Sequence, residues 1–331
     1  MTLHVHGLGH FHPENEITNR FLEELDIGTD EEWIMDRVGI RSRRTVLSLD
    51  YIRDTRNRDP SQAMEAALYT HADTGVLATE MALERAGITR DAIGMVIAGS
   101  SRPSFSSPAD ACHIADALGM EVPAFDINSA CTSMWVAMYM LSNMRPESLP
   151  DYVLLVAPES LTTSVDYDDR SASVLWGDCT AAAIVSTRVP SRVQVLDNTL
   201  QSSPAGHEKV VIPLFEHFNQ EGRTVQMFAI KKTVRCLRKI QEGYPSPGRT
   251  LNFVGHQANL RMLESVCQQC DIDDERHYSN VVEFGNGGAA GAPSVLSMNW
   301  DGWTDQDDVA VIGVGSGLTW ASHVLRFGDQ H

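Results

Sequence analysis

The chain repeats its own pattern at long range, and that repetition limits the folds open to it. The run GMVIAGSS (94–101) is a buried-strand pattern ending in small residues, and LNFVGHQA (251–258) is the same. AFDINSACTSMWVAM (124–138) reads as strand, Asn, small residues, helix, and VVEFGNGGAAGAPSVL (281–296) repeats it. DYVLLVAPES (151–160) matches DDVAVIGVGS (307–316). Gly99 to Gly255 is a step of 156 residues, Asn128 to Asn286 of 158, and Asp151 to Asp308 of 157. Three pairs in one order at nearly one spacing imply two copies of one α/β unit. The division falls near VSTRVPSR (185–192), giving halves of 1–188 and 189–331. Strands alternating with helices make layered α/β with mixed sheets. Helices are expected at about 15–25, 76–86, 108–118, 132–144, 225–241 and 259–269, and PSQAMEAAL (60–68) opens with proline at a first helical position. Strand-to-helix turns of such a fold collect at one end of the sheet, where ligands bind.

Three of these turns carry reactive side chains: Cys131, His256 and Asn286. A thiol at a helix N-terminus is expected to have its pKa lowered toward neutrality by the backbone N–H groups and the helix dipole. An imidazole and an amide can hold negative charge on a carbonyl oxygen. Together they are the parts of a site that handles thioesters. Gly313, Gly315 and Gly317 mimic a dinucleotide loop, but they precede the strand pattern LTWASHVLRF rather than a helix. A backbone N–H from that run can instead complete an oxyanion hole. His4, His6, His10 and His12 read as alternation along a first strand, not as a metal site. Cys267 and Cys270 lie within a helical pattern without a second pair, so zinc is not expected.

Net charge is −18, from 26 basic and 44 acidic side chains, which argues against nucleic acid or an anionic membrane as partner. An acidic partner then needs a local basic patch. IKKTVRCLRK supplies Lys231, Lys232, Arg235, Arg238 and Lys239 at helical spacing, with Arg261 elsewhere. No apolar run approaches membrane-span length, and the opening MTLHVHGLGH lacks a signal-peptide pattern. Six cysteines without framework spacing suggest free thiols and a cytoplasmic setting.

EEWIMDRVGIRSRR (31–44), PAFDINSACTSM (123–134), WGDCTAAAIVS (176–186), GHQANLRML (255–263), GNGGAAGAPSVL (285–296) and VGSGLTWASHVLRF (314–327) resemble the β-ketoacyl-acyl-carrier-protein synthase III family over essentially the whole chain. The resemblance implies a thiolase-like five-layered αβαβα fold. It implies that Cys131 is acylated, and that His256 and Asn286 support decarboxylation and hold the malonyl thioester oxygen. The N–H groups of Cys131 and Gly317 would form the other oxyanion hole. Trp33, Arg37 and Arg170 sit where the family grips the adenine end of coenzyme A, and Arg261, Lys231, Lys232 and Arg235 resemble its carrier-protein docking surface. The implied reaction is a decarboxylative condensation of acyl-CoA with malonyl-acyl-carrier protein in a homodimer, with no cofactor and no metal.

The chain also departs from the family. GDGAGA reads GDCTAA, with Cys179 at a turn glycine, and GNTSAAS reads GNGGAAG. Segment 45–75 is longer and carries RDTRNRD, able to cover the entrance or to serve as plain loop. The phenylalanine that closes the acyl pocket from the neighbouring subunit in acetyl-CoA enzymes aligns with Ser107, so a medium-chain or longer primer is expected. The competing readings are acyl transfer to a nitrogen or oxygen acceptor in secondary metabolism, a non-catalytic subunit that binds acyl thioesters, and a cysteine hydrolase. An enolate clamp is superfluous to plain acyl transfer, the intact thiol and imidazole argue against an inert subunit, and no water-activating base beyond His256 marks a hydrolase.

Overall fold

The computed structural model describes residues 2–243 and 248–328. Nine strands form its main sheet: β1 (Leu3–Phe11), β2 (Ile93–Ala98), β3 (Ala124–Asp126), β4 (Tyr152–Glu159), β5 (Cys179–Ser186), β6 (Val193–Ser202), β7 (Thr250–Gly255), β8 (Asp307–Gly315) and β9 (Thr319–Phe327). Their order across the sheet is β7-β8-β9-β6-β1-β5-β4-β2-β3. Outward from β1 the chain places its fourth, third, first and second following strands; outward from β6 it runs β9, β8, β7 in the same sense. β2 pairs in parallel with β3 and β4, and β7 with β8, while the remaining neighbours are antiparallel. The two halves join where β1 and β6 pair antiparallel at Leu3–Val195, His4–Gln194 and Val5–Val193.

The helices that cover this sheet are α1 (Glu31–Arg37), α2 (His71–Ala86), α3 (Asp110–Ala117), α4 (Ser133–Asn143), α5 (Gly222–Gly243), α6 (Leu260–Gln269) and α7 (Gly288–Met298). α2 and α3 pack on one outer face, α5 packs on the opposite one with α6 against it, and α4 and α7 lie between the halves, giving five layers. Period-two alternation assigns each strand residue its layer. Val309 and Val311 of β8 face the central helices, while Ala310, Ile312 and Val314 pack with the α5 side. Along β4, Val153, Leu155 and Ala157 face the centre, and Leu154 and Val156 face α2 and α3. Strands buried on both sides explain the unbroken apolar runs seen in the sequence.

Glycine sets how closely the layers approach. A Cβ at Gly9 would lie 1.9 Å from the Ala78 carbonyl oxygen of α2, and one at Gly7 2.1 Å from that of Ala82. α2 is bounded by a reciprocal cap, Thr70 with Asp73, and by left-handed Gly87.

The structure corrects several local expectations. Residues 15–25 are not one helix: Asn15–Thr18 is a strand paired with Ser42–Thr45, and a helix covers only Asn19–Glu24. Val281–Phe284, expected to be a strand, is a single helical turn capped by left-handed Gly285. Segment 45–75 is neither lid nor plain loop. It folds as helices Leu49–Thr55 and Pro60–Ala66, and buried Asn57 ties it down by donating to the Thr163 and Val165 carbonyls. Among the described residues no group of His, Cys, Asp and Glu is placed to hold a metal. His6 instead bonds the Val189 carbonyl, His10 bonds Ser297 and His12 stacks on Phe284. All six cysteines are free, and no helix among the described residues is long and apolar enough to cross a membrane.

Buried histidines make the fold acid-labile. Burial pushes His12 and His323 down to about 3 and His256 to about 4. The unfolded chain binds these protons near 6.5, so stability is full above that pH and falls as pH drops toward 4, by roughly 3 kcal/mol per ring. Asp178, raised to about 6 by burial, works the other way and offsets part of the loss. Urea unfolding at pH 7 and pH 4.5 is expected to show a loss of about 3 kcal/mol or more at the lower pH. Equal stability at the two values overturns this account.

Candidate active site

β3 ends at Asp126, whose carboxylate accepts the Asp110 and Ala111 amides and so fixes the start of α3. The chain then turns through Asn128 and Ser129 into a 3-10 turn, Ala130–Thr132, that leads into α4. Ala130 takes a left-handed φ of 46°, a conformation that non-glycine residues adopt where surrounding structure enforces it. The bonds are local: Ser133 Oγ accepts from Ser129 N at 2.9 Å and donates to the Ala130 carbonyl at 2.7 Å. Cys131 is thereby presented at the helix entrance. β8 approaches closely from the other side, and a Cβ at Gly315 would lie 3.1 Å from the Cys131 amide.

His256 directly follows β7 and is 7% exposed. Its neighbour Gln257 is fully buried, donating to the Gly255 carbonyl and accepting the Asn280 amide, which locks the turn. The His256 ring has no hydrogen-bond partner among the described residues, and its depressed pKa keeps it neutral at physiological pH. Asn286 sits between the 281–284 turn and α7. Its amide donates to the Leu175 carbonyl at 2.8 Å, and its Oδ1 accepts the Gly288 amide at 3.1 Å. That bond fixes the side-chain amide, and Nδ2 has no hydrogen-bond partner among the described residues.

Cys131, His256 and Asn286 line one cavity of about 800 Å³. Trp33, Arg37 and Arg170 line it as well. The Arg170 guanidinium lies 4.9 Å over the Trp33 ring and donates to the Gly28 carbonyl. Arg261 shares this wall, held against the end of α1 by the Met35 and Asp36 carbonyls and by Glu264. Arg223, which the sequence did not single out, adds another cation. A second cavity of about 450 Å³ meets the first at Cys131, and Val210, Val211, Ile212, Pro213 and Phe218 line it.

Other expected site residues lie elsewhere. Gly317 is in the β8–β9 turn, where Gly315 and Ser316 are the residues on the cavity wall. Ser107 is on an exposed loop outside both cavities. Lys231 and Arg235 line a surface groove between α5 and α6 with Arg238 and Lys239, whereas Lys232 points away, its Nζ 3.8 Å over the Trp320 ring. Cys179 is buried in β5, and a Cβ at Gly287 would touch it at 3.0 Å.

The expected low thiol pKa is overturned. Part of Cys131 is exposed through the cavity, yet its sulfur is deep. Burial pushes it up to about 12, and the nearby Glu159 charge adds to the shift. At rest the group is a thiol. The helix terminus favours the thiolate, but desolvation at this depth outweighs it.

Two family models match the chain: 3-oxoacyl-[acyl-carrier-protein] synthase III over residues 125–204, and the C-terminal part of the same family over 251–327. The β-ketoacyl-[acyl-carrier-protein] synthase III of Campylobacter fetus is 30% identical, with 98% of each chain covered. Among solved structures, 3-oxoacyl-(acyl carrier protein) synthase III of Pseudomonas aeruginosa has a TM-score of 0.85 at 27% identity, covering all of both chains. The priming β-ketosynthase of the R1128 polyketide biosynthetic pathway has a TM-score of 0.83 at 25% identity, covering 99% of this chain and 96% of its own. The thiolase-like fold follows from these likenesses.

Proposed function

The chain belongs to the 3-oxoacyl-acyl-carrier-protein synthase III family of condensing acyltransferases, and from that premise we propose that it joins an acyl-CoA primer to malonyl-acyl-carrier protein through an acyl-Cys131 intermediate. The observation that carries this reading is the meeting of Cys131, His256 and Asn286 on one cavity whose wall also bears Trp33, Arg37 and Arg170. An aromatic ring and cations suit an adenine nucleotide, by stacking and by pairing with phosphate.

Cys131 sulfur attacks the acyl carbonyl, the carbon–sulfur bond to coenzyme A breaks, and CoA leaves. Malonyl-carrier protein then enters. Carbon dioxide departs, and the enolate oxygen rests against neutral His256 and the Asn286 Nδ2 donor. The enolate carbon attacks the acyl-enzyme, whose oxyanion rests on the Cys131 amide, and the Cys131 sulfur is released. The basic groove of Lys231, Arg235, Arg238 and Lys239 gives an acidic carrier protein a docking surface on an otherwise acidic enzyme. Arg261, beside the cavity mouth, extends it. Homodimerisation would use the free edge of β3, where Phe125 is exposed. Ser107, on the neighbouring loop, would then face the partner's acyl pocket.

The primer is medium-chain or longer. The second cavity at Cys131 supports this, as does a serine in place of a closing ring. Incubation with an acyl-CoA series, followed by mass analysis of Cys131, is expected to show octanoyl labelling about tenfold or more faster than acetyl, tenfold being the low end for one buried methylene. Ser107→Phe should reverse that order. Acetyl labelling that outpaces octanoyl in the unmodified enzyme sinks the chain-length reading. Labelling with no carbon dioxide released from malonyl-carrier protein sinks condensation.

A further inference from the structure

Glu159, at the end of β4, is 2% exposed and lies beneath the nucleophile turn. Ser101 spans the gap between them. Its Oγ donates to Glu159 Oε1 at 2.7 Å and lies 3.7 Å from Cys131 Sγ, a hydrogen-bond distance for sulfur. With its own proton committed to the carboxylate, that hydroxyl can accept one from the thiol. Four further contacts fix the carboxylate. The Ser101 amide donates to both oxygens at 3.0 Å, Ser100 Oγ donates at 3.1 Å, and the Ala289 amide at the start of α7 donates at 2.8 Å. Gly288 must be glycine for this, since a Cβ there would fall 2.5 Å from Oε1.

We propose that Glu159, acting through the Ser101 hydroxyl, is the base that converts the Cys131 thiol to the attacking thiolate. This rests on reading Cys131 as the acylated nucleophile. The Cys131 S–H bond breaks and its proton passes to Ser101 Oγ, while the Ser101 proton passes to Glu159 Oε1. The sulfur attacks the acyl carbonyl, the bond to the CoA sulfur breaks, and the departing CoA thiolate takes the proton back along the same path. Glu159 ends as it began, a carboxylate.

Charge decides between this route and the obvious alternative. Transfer to Glu159 moves one negative charge from carboxylate to sulfur and creates no new one. Transfer to His256 would create an imidazolium and a thiolate together in a buried site, where burial already opposes the imidazolium. No hydrogen bond joins the His256 ring to the sulfur among the described residues. Burial also raises Glu159 itself, which brings its proton affinity closer to that of the thiol. The titratable groups facing Glu159 are His71 on α2, which is paired with Asp110 of α3, Cys131 at the head of α4, and Cys179 on β5. The N-terminus of α7 supplies the Ala289 amide.

The test is alkylation of Cys131 by iodoacetamide as a function of pH, read by peptide mass spectrometry, in the full chain and in Glu159→Gln and Ser101→Ala. In the unmodified enzyme the rate is expected to rise as Glu159 loses its proton and then to hold a plateau through neutral pH. In both variants the plateau should vanish. The rate at pH 7 should fall about a hundredfold, the scale of a lost general base, and climb tenfold per pH unit toward pH 9. If Glu159 were only a nearby negative charge, Glu159→Gln would speed alkylation, and that result overturns the proposal. A plateau retained in Ser101→Ala, which removes one hydroxyl and keeps the backbone contact, overturns it equally. Should acyl-CoA fail to label an enzyme that shows the plateau, the acyl-enzyme reading falls and the relay stands.

Discussion

Cys131→Ala is expected to abolish the acyl adduct and to lower condensation by on the order of 10⁵-fold, the scale of losing a covalent nucleophile. The fold should survive the change. The left-handed turn at Ala130 is held by Ser129 and Ser133 rather than by the thiol, and the sulfur's nearest polar contact is a 3.7 Å approach to Ser101. Carbon dioxide release from malonyl-carrier protein should persist, because His256 and Asn286 come from other turns and neither bonds the sulfur. Acylation by acyl-CoA and decarboxylation of malonyl-carrier protein, measured separately, check this. An adduct that persists in Cys131→Ala places the acyl group on another residue and removes Cys131 from the mechanism. Cys112, the one exposed cysteine, is the natural control.

The repeated spacing made the layered fold legible, because strands buried on both faces need continuous apolar runs and the spacing of those runs survives divergence. β2, β4, β7 and β8 fall where the paired segments place them, and α4 and α7 follow their small-residue turns. Legibility failed where local pattern and tertiary demand part. VVEF has the composition of a strand, yet Gly285 caps it as a helical turn and buried Gln257 holds its start. Residues 15–18 pair with Ser42–Thr45, a partner no local period announces.

The site divides in the same way. Turn position alone singled out Cys131, His256 and Asn286, since in both copies these turns reach one end of the sheet. Under the repeat offsets, His256 corresponds to Ser100, Asn286 to Asn128, and Ala289 to Cys131, so the candidate site residues of one copy match small or polar residues of the other. Under the 157-residue step Glu159 corresponds to Ser316, and an acid where the other copy keeps a serine is the available signal for it. The thiol's raised pKa was not readable, because it comes from depth and from a carboxylate 28 positions away in sequence. Nor was the division of the basic segment. Adjacency in sequence groups Lys231 with Lys232, but only the structure shows Lys232 spent on Trp320.

His256→Ala and Asn286→Ala should each slow carbon dioxide release by about 10²–10³-fold, or about 3–4 kcal/mol per lost donor. Acyl labelling of Cys131 should be spared, since neither side chain hydrogen-bonds the sulfur. Neutrality of the ring matters here. A pKa near 4 keeps His256 an uncharged N–H donor, so it should add no inflection to the decarboxylation rate between pH 5.5 and 8. In the proposed mechanism Asn286 acts by orientation: with Oδ1 held by the Gly288 amide, Nδ2 is left to donate to the enolate. Asn286→Asp keeps the acceptor and replaces the donor with negative charge beside a forming enolate, so it should slow release more than alanine does. If the two donors act on one oxygen, the double alanine variant should lose less than the product of the single losses. An Asn286→Asp enzyme that releases carbon dioxide faster than Asn286→Ala would show that this amide does not face the developing charge.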